Sequence, residues 1–263
     1  MHILIFDSGL GGLSVHQEVR KARPDARFTY LADDAVFPYG RLSDVALVER
    51  VLAVIAPVVA ADPPDVLVVA CNTASTLVLP PLRKAYTFHI VGTVPAIKPA
   101  AAMSLSRMIS VMATPGTVKR DYTRDLVETY ATGCDVALVG CSRLAQLAES
   151  ALRGEAVSDA EIADELTFVF VEKAGHRTDT VVLGCTHYPL LLERMKRLAP
   201  WPVAWIDPAP AIARRVVQLV GPASDAAEEG GFGRALFTSG RAPEAALAAT
   251  LRERYLIAGA YPA

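Results

Sequence analysis

The chain has 263 residues, 52% of them hydrophobic, enough to bury one large core or two smaller ones. Its net charge of -2 and the lack of a basic cluster exclude nucleic acid as a primary ligand, and no apolar run approaches the roughly 20 residues that span a bilayer. The opening residues, Met1 to Asp7, have neither the basic region nor the apolar length of a signal peptide, so the chain reads as cytoplasmic; its four cysteines lack paired short spacings and read as reduced thiols.

Short aliphatic runs alternate with longer helical patterns, the signature of βαβ units and a parallel sheet, so the fold class is α/β. The first expected strand, Ile3–Phe6, is followed by Asp7, Ser8 and the glycine-rich turn Gly9-Leu10-Gly11-Gly12, then a helix over Leu13–Lys21. The turn matches neither dinucleotide nor P-loop spacing and reads as a tight turn needing a flexible backbone, whose amides are also suited to a carboxylate. A strand at Phe28–Leu31, the turn Pro38-Tyr39-Gly40 and a helix over Val45–Val59 come next.

The strand Val66–Ala70 then runs into Cys71-Asn72-Thr73 and a helix over Ala74–Tyr86. Strands at Ile90–Gly92 and Met108–Met112, a helix over Tyr122–Tyr130, a strand at Val136–Val139 and helices over Leu144–Ala151 and Asp159–Glu172 continue the alternation. Near the second helix-rich stretch, Val181–Gly184 leads into Cys185-Thr186-His187 and a helix over Tyr188–Leu198. A strand at Val203–Ile206, a helix over Pro210–Val220, a surface loop over Gly221–Gly233, a strand at Ala235–Phe237 and a helix over Ala242–Tyr255 close the chain.

The segments 66–73 and 180–187 echo one another: a buried strand, a cysteine, then polar residues opening a helix. Their separation suits two similar domains facing each other, with the segment from Asp207 returning to complete the first. Residues just beyond a parallel strand have privileged access to a ligand site, and a helix N-terminus favours thiolate over thiol, so Cys71 and Cys185 read as acid/base groups. Cys185 with His187 also fits a nucleophilic pair, which leaves the matched Cys71 without a task. No zinc-type spacing is present, and the expectation is of no metal.

Each candidate has a plainer alternative. Asp7, Ser8, Thr73 and Thr186 fit helix caps, His187 a surface position, Tyr39 a packed turn aromatic and Glu149 a solvated acid. Cys134 and Cys141 read as inert small hydrophobes.

Six segments together resemble the glutamate racemases of the aspartate/glutamate racemase superfamily. They are Asp7-Ser8-Gly9-Leu10-Gly11-Gly12-Leu13-Ser14, Pro38-Tyr39-Gly40, Cys71-Asn72-Thr73-Ala74-Ser75, Ala113-Thr114-Pro115-Gly116-Thr117-Val118, Gly184-Cys185-Thr186-His187-Tyr188-Pro189 and Thr238-Ser239-Gly240. The resemblance implies two flavodoxin-like domains with parallel sheets, 1–95 plus 208–263 and 96–207, and an active site in the cleft between them. It implies Cys71 and Cys185 as the acid/base pair, with Asp7, His187 and Glu149 in support. Substrate contacts would come from Asp7, Ser8, Tyr39, Gly40, Asn72, Thr73, Thr117, Thr186 and His187. The implied reaction needs no cofactor, takes glutamate as its small-molecule partner, supplies D-glutamate for peptidoglycan and is compatible with a homodimer. An aspartate or broad-specificity racemase, and a non-catalytic amino-acid-binding protein, are the competing readings.

Overall fold

The protein is described from a computed structural model, over residues 1–223 and 230–262. Up to Gly92 the chain forms β1 (His2–Asp7), α1 (Leu13–Ala22), β2 (Arg27–Ala32), α2 (Asp44–Ala61), β3 (Val66–Val69), α3 (Asn72–Ala85) and β4 (His89–Gly92). A second set follows: α4 (Ile97–Met103), β5 (Met108–Ala113), α5 (Pro115–Lys119), α6 (Asp121–Tyr130), β6 (Asp135–Gly140), α7 (Leu144–Leu152) and α8 (Asp159–Leu166). It continues with the hairpin of β7 (Glu172–Lys173) and β8 (His176–Arg177), then β9 (Thr180–Leu183), α9 (Leu192–Leu198) and β10 (Ala204–Ile206). The chain returns through α10 (Ala209–Val220), β11 (Gly233–Phe237), α11 (Ala245–Glu253) and β12 (Leu256–Gly259).

The strands assort into two main sheets, ordered β12-β11-β2-β1-β3-β4 and β10-β9-β5-β6, and every neighbouring pair in both is parallel. Counted from its own first strand, each sheet runs second, first, third, fourth, which is the flavodoxin-like order. The central strands β1, β3, β5 and β9 are buried along their whole length, as strands with helices on both faces must be. Alternation along β1 feeds two cores: Ile3 and Ile5 pack with α1 and α10, while Leu4 and Phe6 pack with α2 and α3. Among the described residues no helix is long and apolar enough to cross a membrane.

Several elements depart from the sequence expectation. The helix expected over Asp159–Glu172 ends at Leu166, because Phe168-Val169-Phe170-Val171 is a run of aromatic and β-branched residues with weak helix preference. Ala174 and Gly175, at φ 52° and 79°, then turn the chain into the unexpected β7–β8 hairpin. The helix expected over Ala242–Tyr255 is shortened to α11, and Tyr255 at φ 58° redirects the chain into an unexpected edge strand, β12. The short helices α4 and α5 were not expected; Pro99 and Pro115 sit in their first turns, where a missing N–H costs nothing. The expected loop over Gly221–Gly233 falls in part on 224–229, outside the described residues.

The six-stranded sheet with its helices is the first lobe and the four-stranded sheet with its helices the second, and one buried acid fixes the rim of the first. Asp33, directly after β2, accepts from Tyr39 Oη (2.6 Å), Arg50 Nε (2.8 Å) and Nη2 (2.6 Å), and Thr238 Oγ1 (2.5 Å). It therefore binds the 38–41 turn, α2 and the end of β11 to the sheet. Asp33→Ala should cost about 3 kcal/mol in urea unfolding, since it leaves several donors unpaired, and Tyr39→Phe about 1–2 kcal/mol. Equal losses in the two variants would contradict Asp33 as the hub.

Candidate active site

In each sheet the first and third strands are neighbours although helices and another strand separate them in sequence. The chain reverses its winding there, and the crevice beyond the carboxyl ends of such strands is where open α/β sheets bind ligands. Asp7 ends β1 and Ser8 stands just past it, Cys71, Asn72 and Thr73 stand past β3, Thr114 and Thr117 past β5, and Cys185, Thr186 and His187 past β9. Glu149 reaches the same place from α7. Of the nominated residues all except Gly40 are buried, which sets aside the solvated reading of Glu149 and the surface reading of His187.

On the first lobe, the Cys71 thiol donates to Ser8 Oγ at 3.5 Å, and Cys71 is the residue capping α3. Burial, and then the Asp7 carboxylate, push this thiol up to about 12, outweighing the Ser8 hydroxyl and the Ala74 N–H at the helix start. The helix effect expected from the sequence is thus present and overruled. Asp7 accepts from Gly9 N–H (2.9 Å) and Thr186 Oγ1 (3.0 Å), and its own burial raises its pKa. Carboxyl and thiol compete for one negative charge in a dry site.

The second lobe solves the problem differently. No α-helix begins at Cys185: residues 185–187 form a turn, a single 3-10 turn covers Tyr188–Leu191, and α9 starts only at Leu192. Pro189 has no N–H, which weakens the first turn as a source of donors. The expected helix support is therefore replaced by His187, whose Nδ1 lies 3.7 Å from Cys185 Sγ and whose Nε2 lies 2.9 Å from Glu149 Oε1. Burial opposes charge on the ring, yet the Cys185 and Glu149 partners prevail and hold the His187 pKa well above its ordinary value. Glu149, for which burial is likewise the opposing influence, is held below the usual glutamate range by His187 and the Leu10 amide. The backbone N–H of Gly11 is also 3.1 Å from Nε2; once Nε2 carries the proton donated to Glu149, that N–H is a close dipole rather than a hydrogen-bond donor.

The glycine-rich turn is where the lobes meet. Leu10 N–H donates to Glu149 Oε1 at 2.5 Å, and Ser14 Oγ donates to the Thr186 carbonyl at 3.0 Å. A Cβ at Gly9 would lie 2.3 Å from Glu149 Oε1, and one at Gly11 2.3 Å from His187 Nδ1. Neither glycine has positive φ. The expectation of a flexible turn is corrected: these positions are glycine for space, and the carboxylates that the turn's Gly9 and Leu10 amides bind, Asp7 and Glu149, belong to the protein itself.

Across the cleft, the hydroxyls of Thr73, Thr114 and Thr117 form a triangle with edges of 3.1, 3.1 and 2.9 Å. Arg120 adds a clasp from the second lobe, donating to the Thr73 carbonyl (2.5 Å), Thr76 Oγ1 (2.6 Å) and Asp44 (3.2 Å). Asn72 accepts from Thr93 Oγ1 at 3.5 Å, while its buried Nδ2 has no partner among the described residues. Tyr39 is brought to the rim but its hydroxyl is committed to Asp33; Gly40 is exposed and borders Thr114 and Gly116. Cys141 is buried outside this constellation, its thiol donating to the carbonyls of Val139 and Glu165, and Cys134 is half-buried near Arg107.

Sequence reasoning missed Thr114, Arg120 and Phe37. Thr114 was legible, since it follows β5 as Ser8 follows β1. Arg120 and Phe37 lie in loops that no strand-end rule singles out.

A model of the family described as Asp/Glu/Hydantoin racemase matches residues 14–216. The chain is 55% identical over 221 residues to the glutamate racemase of Brucella anthropi, covering 84% of this chain and 80% of that one. It is 51% identical over 246 residues to that of Brucella ovis, covering 93% and 89%. Among solved structures, Escherichia coli glutamate racemase in complex with L-glutamate and the activator UDP-MurNAc-Ala aligns with a TM-score of 0.88 at 39% identity, covering 98% of this chain and 97% of that one. A glutamate racemase isoform from Bacillus anthracis aligns with a TM-score of 0.79 at 26% identity, covering 98% and 96%.

Gly11→Ala tests the close approach of the lobes. The added methyl must displace His187 or Thr186, so turnover should fall about 100-fold with the far-ultraviolet circular dichroism unchanged. Wild-type turnover in this variant would refute the spatial account of the glycine.

Proposed function

This chain belongs to the Asp/Glu/hydantoin racemase family and is an amino-acid racemase, and we propose that it interconverts L- and D-glutamate by proton transfer between two cysteines. The observation that carries the reading is the placement of Cys71 and Cys185 beyond equivalent strands of two lobes that close on one another. Inversion needs a base on one face of the α-carbon and an acid on the other, and the lobes each contribute one. The thiols sense each other, since a negative charge at Cys185 would add to the upward pull on Cys71.

In the resting site Cys71 is a thiol, while the Cys185 sulfur faces an imidazolium. That distribution suits L-glutamate, with Cys185 taking the α-proton and Cys71 delivering one to the opposite face. D-glutamate requires the reverse. The substrate ammonium beside Asp7 and Cys71 would offset the like-charge repulsion between them and make the Cys71 thiolate accessible. Asn72 Nδ2 and the threonine hydroxyls supply donors for the substrate carboxylates, and with Thr186 and Ser8 they surround the carbanionic intermediate with fixed dipoles in a site closed to water. Glu149 keeps His187 charged, and Asp7 orients the ammonium. The product, D-glutamate, would serve peptidoglycan assembly in the cytoplasm.

Two measurements test this. Cys71→Ser and Cys185→Ser should each nearly abolish racemisation, because a hydroxyl is a far poorer acid/base near neutral pH. In heavy water, residual α-hydrogen exchange should persist mainly with L-glutamate in Cys71→Ser and mainly with D-glutamate in Cys185→Ser, and Cys141→Ser should racemise normally. Inversion retained by both active-site variants would sink the two-thiol reading. Glutamate should also exceed aspartate in kcat/KM by about 10- to 200-fold, the usual discrimination for one methylene; faster aspartate turnover would favour the broader-specificity alternative.

A further inference from the structure

Phe37 belongs to the first lobe by sequence but packs against the hydrophobic cluster of the second, alongside Cys185, Tyr188 and Leu191. Its ring centroid lies 5.3 Å from that of His187, with the planes tilted by 42°. Its Cδ2 also sits 3.1 Å from where a Gly9 Cβ would be, so the missing side chain at Gly9 makes room for both Phe37 and Glu149. The remaining neighbours of the imidazole are accounted for. Cys185 approaches Nδ1, while Glu149 from α7 and the Gly11 amide approach Nε2. Asp7 from β1 adds its charge from further off, and Arg153 acts only through Glu149. The in-plane positions of the ring are therefore taken by hydrogen-bond partners, and the Phe37 ring is the aromatic group set against it.

Resting on the racemase reading, the geometry points to Phe37 as a positioning residue that stabilises the His187 imidazolium through its ring and thereby supports proton abstraction by Cys185 but not by Cys71. A cation within about 6 Å of an aromatic centroid is drawn to the ring's negative face, and more strongly where water is excluded. Burial is the main influence opposing charge on His187, so a tilted aromatic ring this near acts directly on the balance that keeps the imidazole protonated. Cys71 is partnered by Ser8 Oγ and the Ala74 amide rather than by an imidazolium, so the Tyr39 ring that shares its hydrophobic cluster has no such cation to act on. A purely packing role for Phe37 would disturb both half-reactions as the cleft loosened; an electrostatic role acts on one.

Phe37→Leu keeps an apolar side chain and removes the ring, and Phe37→Tyr keeps the ring. In proton NMR titrations, the His187 midpoint should fall by about half to one pH unit in Phe37→Leu and return toward wild type in Phe37→Tyr. His2 and His176, on the far side of the fold, should not move. In the single-thiol backgrounds in heavy water, Phe37→Leu should slow L-glutamate exchange by Cys71→Ser about 3- to 10-fold near neutral pH. It should leave D-glutamate exchange by Cys185→Ser within about twofold. An unmoved His187 midpoint, or equal slowing of the two exchanges, overturns the assignment. If the wild type neither racemises nor exchanges glutamate, the functional reading fails and the titration alone decides the role of the ring.

Discussion

The carboxylate of Glu149 is the contact on which the closed site depends. One oxygen accepts from the Leu10 amide of the first lobe and from His187 of the second, in a position almost out of reach of water. Without that charge the His187 imidazolium would be buried and uncompensated, and the Leu10 N–H would lose its partner. The glycine-rich turn follows from this contact. Its backbone must come so near Glu149 and His187 that Gly9 and Gly11 have no room for a Cβ. The approach of the lobes, the charge on His187 and the sulfur of Cys185 are thus linked through one buried anion.

In the proposed mechanism the two thiols have the same task, and their surroundings are unlike. Cys185 is supported by a cation held within the protein, whereas Cys71 has only a hydroxyl and a helix-start amide against burial and the Asp7 charge. A permanent cation beside Cys71 would be redundant if the substrate brings its own ammonium to Asp7. On that view Asp7 is not at odds with catalysis. It makes thiolate formation at Cys71 conditional on an ammonium being present, which discourages a reactive thiolate in the empty site.

Much of this was legible in the sequence for a physical reason: parallel strands are short, uniformly apolar and followed at once by the residues that face the cleft. Val66–Val69 and Thr180–Leu183 end where polar residues begin, so Cys71 and Cys185 could be named without coordinates. Helix starts were less legible. The same Cys-polar-polar pattern opens α3 in one lobe and a non-helical turn in the other, since Pro189 and the pull of His187 toward Glu149 are tertiary facts. Glu149 looked like any acid on a helix, because its partner is 139 positions away at Leu10. Phe37 and Arg120 gave no periodic signal at all, since each acts across the cleft on the lobe it does not belong to.

The unlike supports have a thermodynamic limit. Enantiomers have equal free energy in water, so racemisation has an equilibrium constant of unity, and kcat/KM must be the same in both directions at every pH. No placement of His187, Glu149 or Asp7 can make the enzyme a better catalyst of one direction by that measure. What their asymmetry sets is which protonation form of the free site is favoured, and hence how an equal kcat/KM is divided between kcat and KM. In the proposed mechanism, Cys71 protonated opposite a Cys185 sulfur facing His187 is the form ready for L-glutamate. The form ready for D-glutamate is reached by moving a proton between thiols. Thr186 donates to Asp7 across the cleft, so on this reading the carboxyl beside Cys71 is already tied to the turn that carries Cys185 and His187.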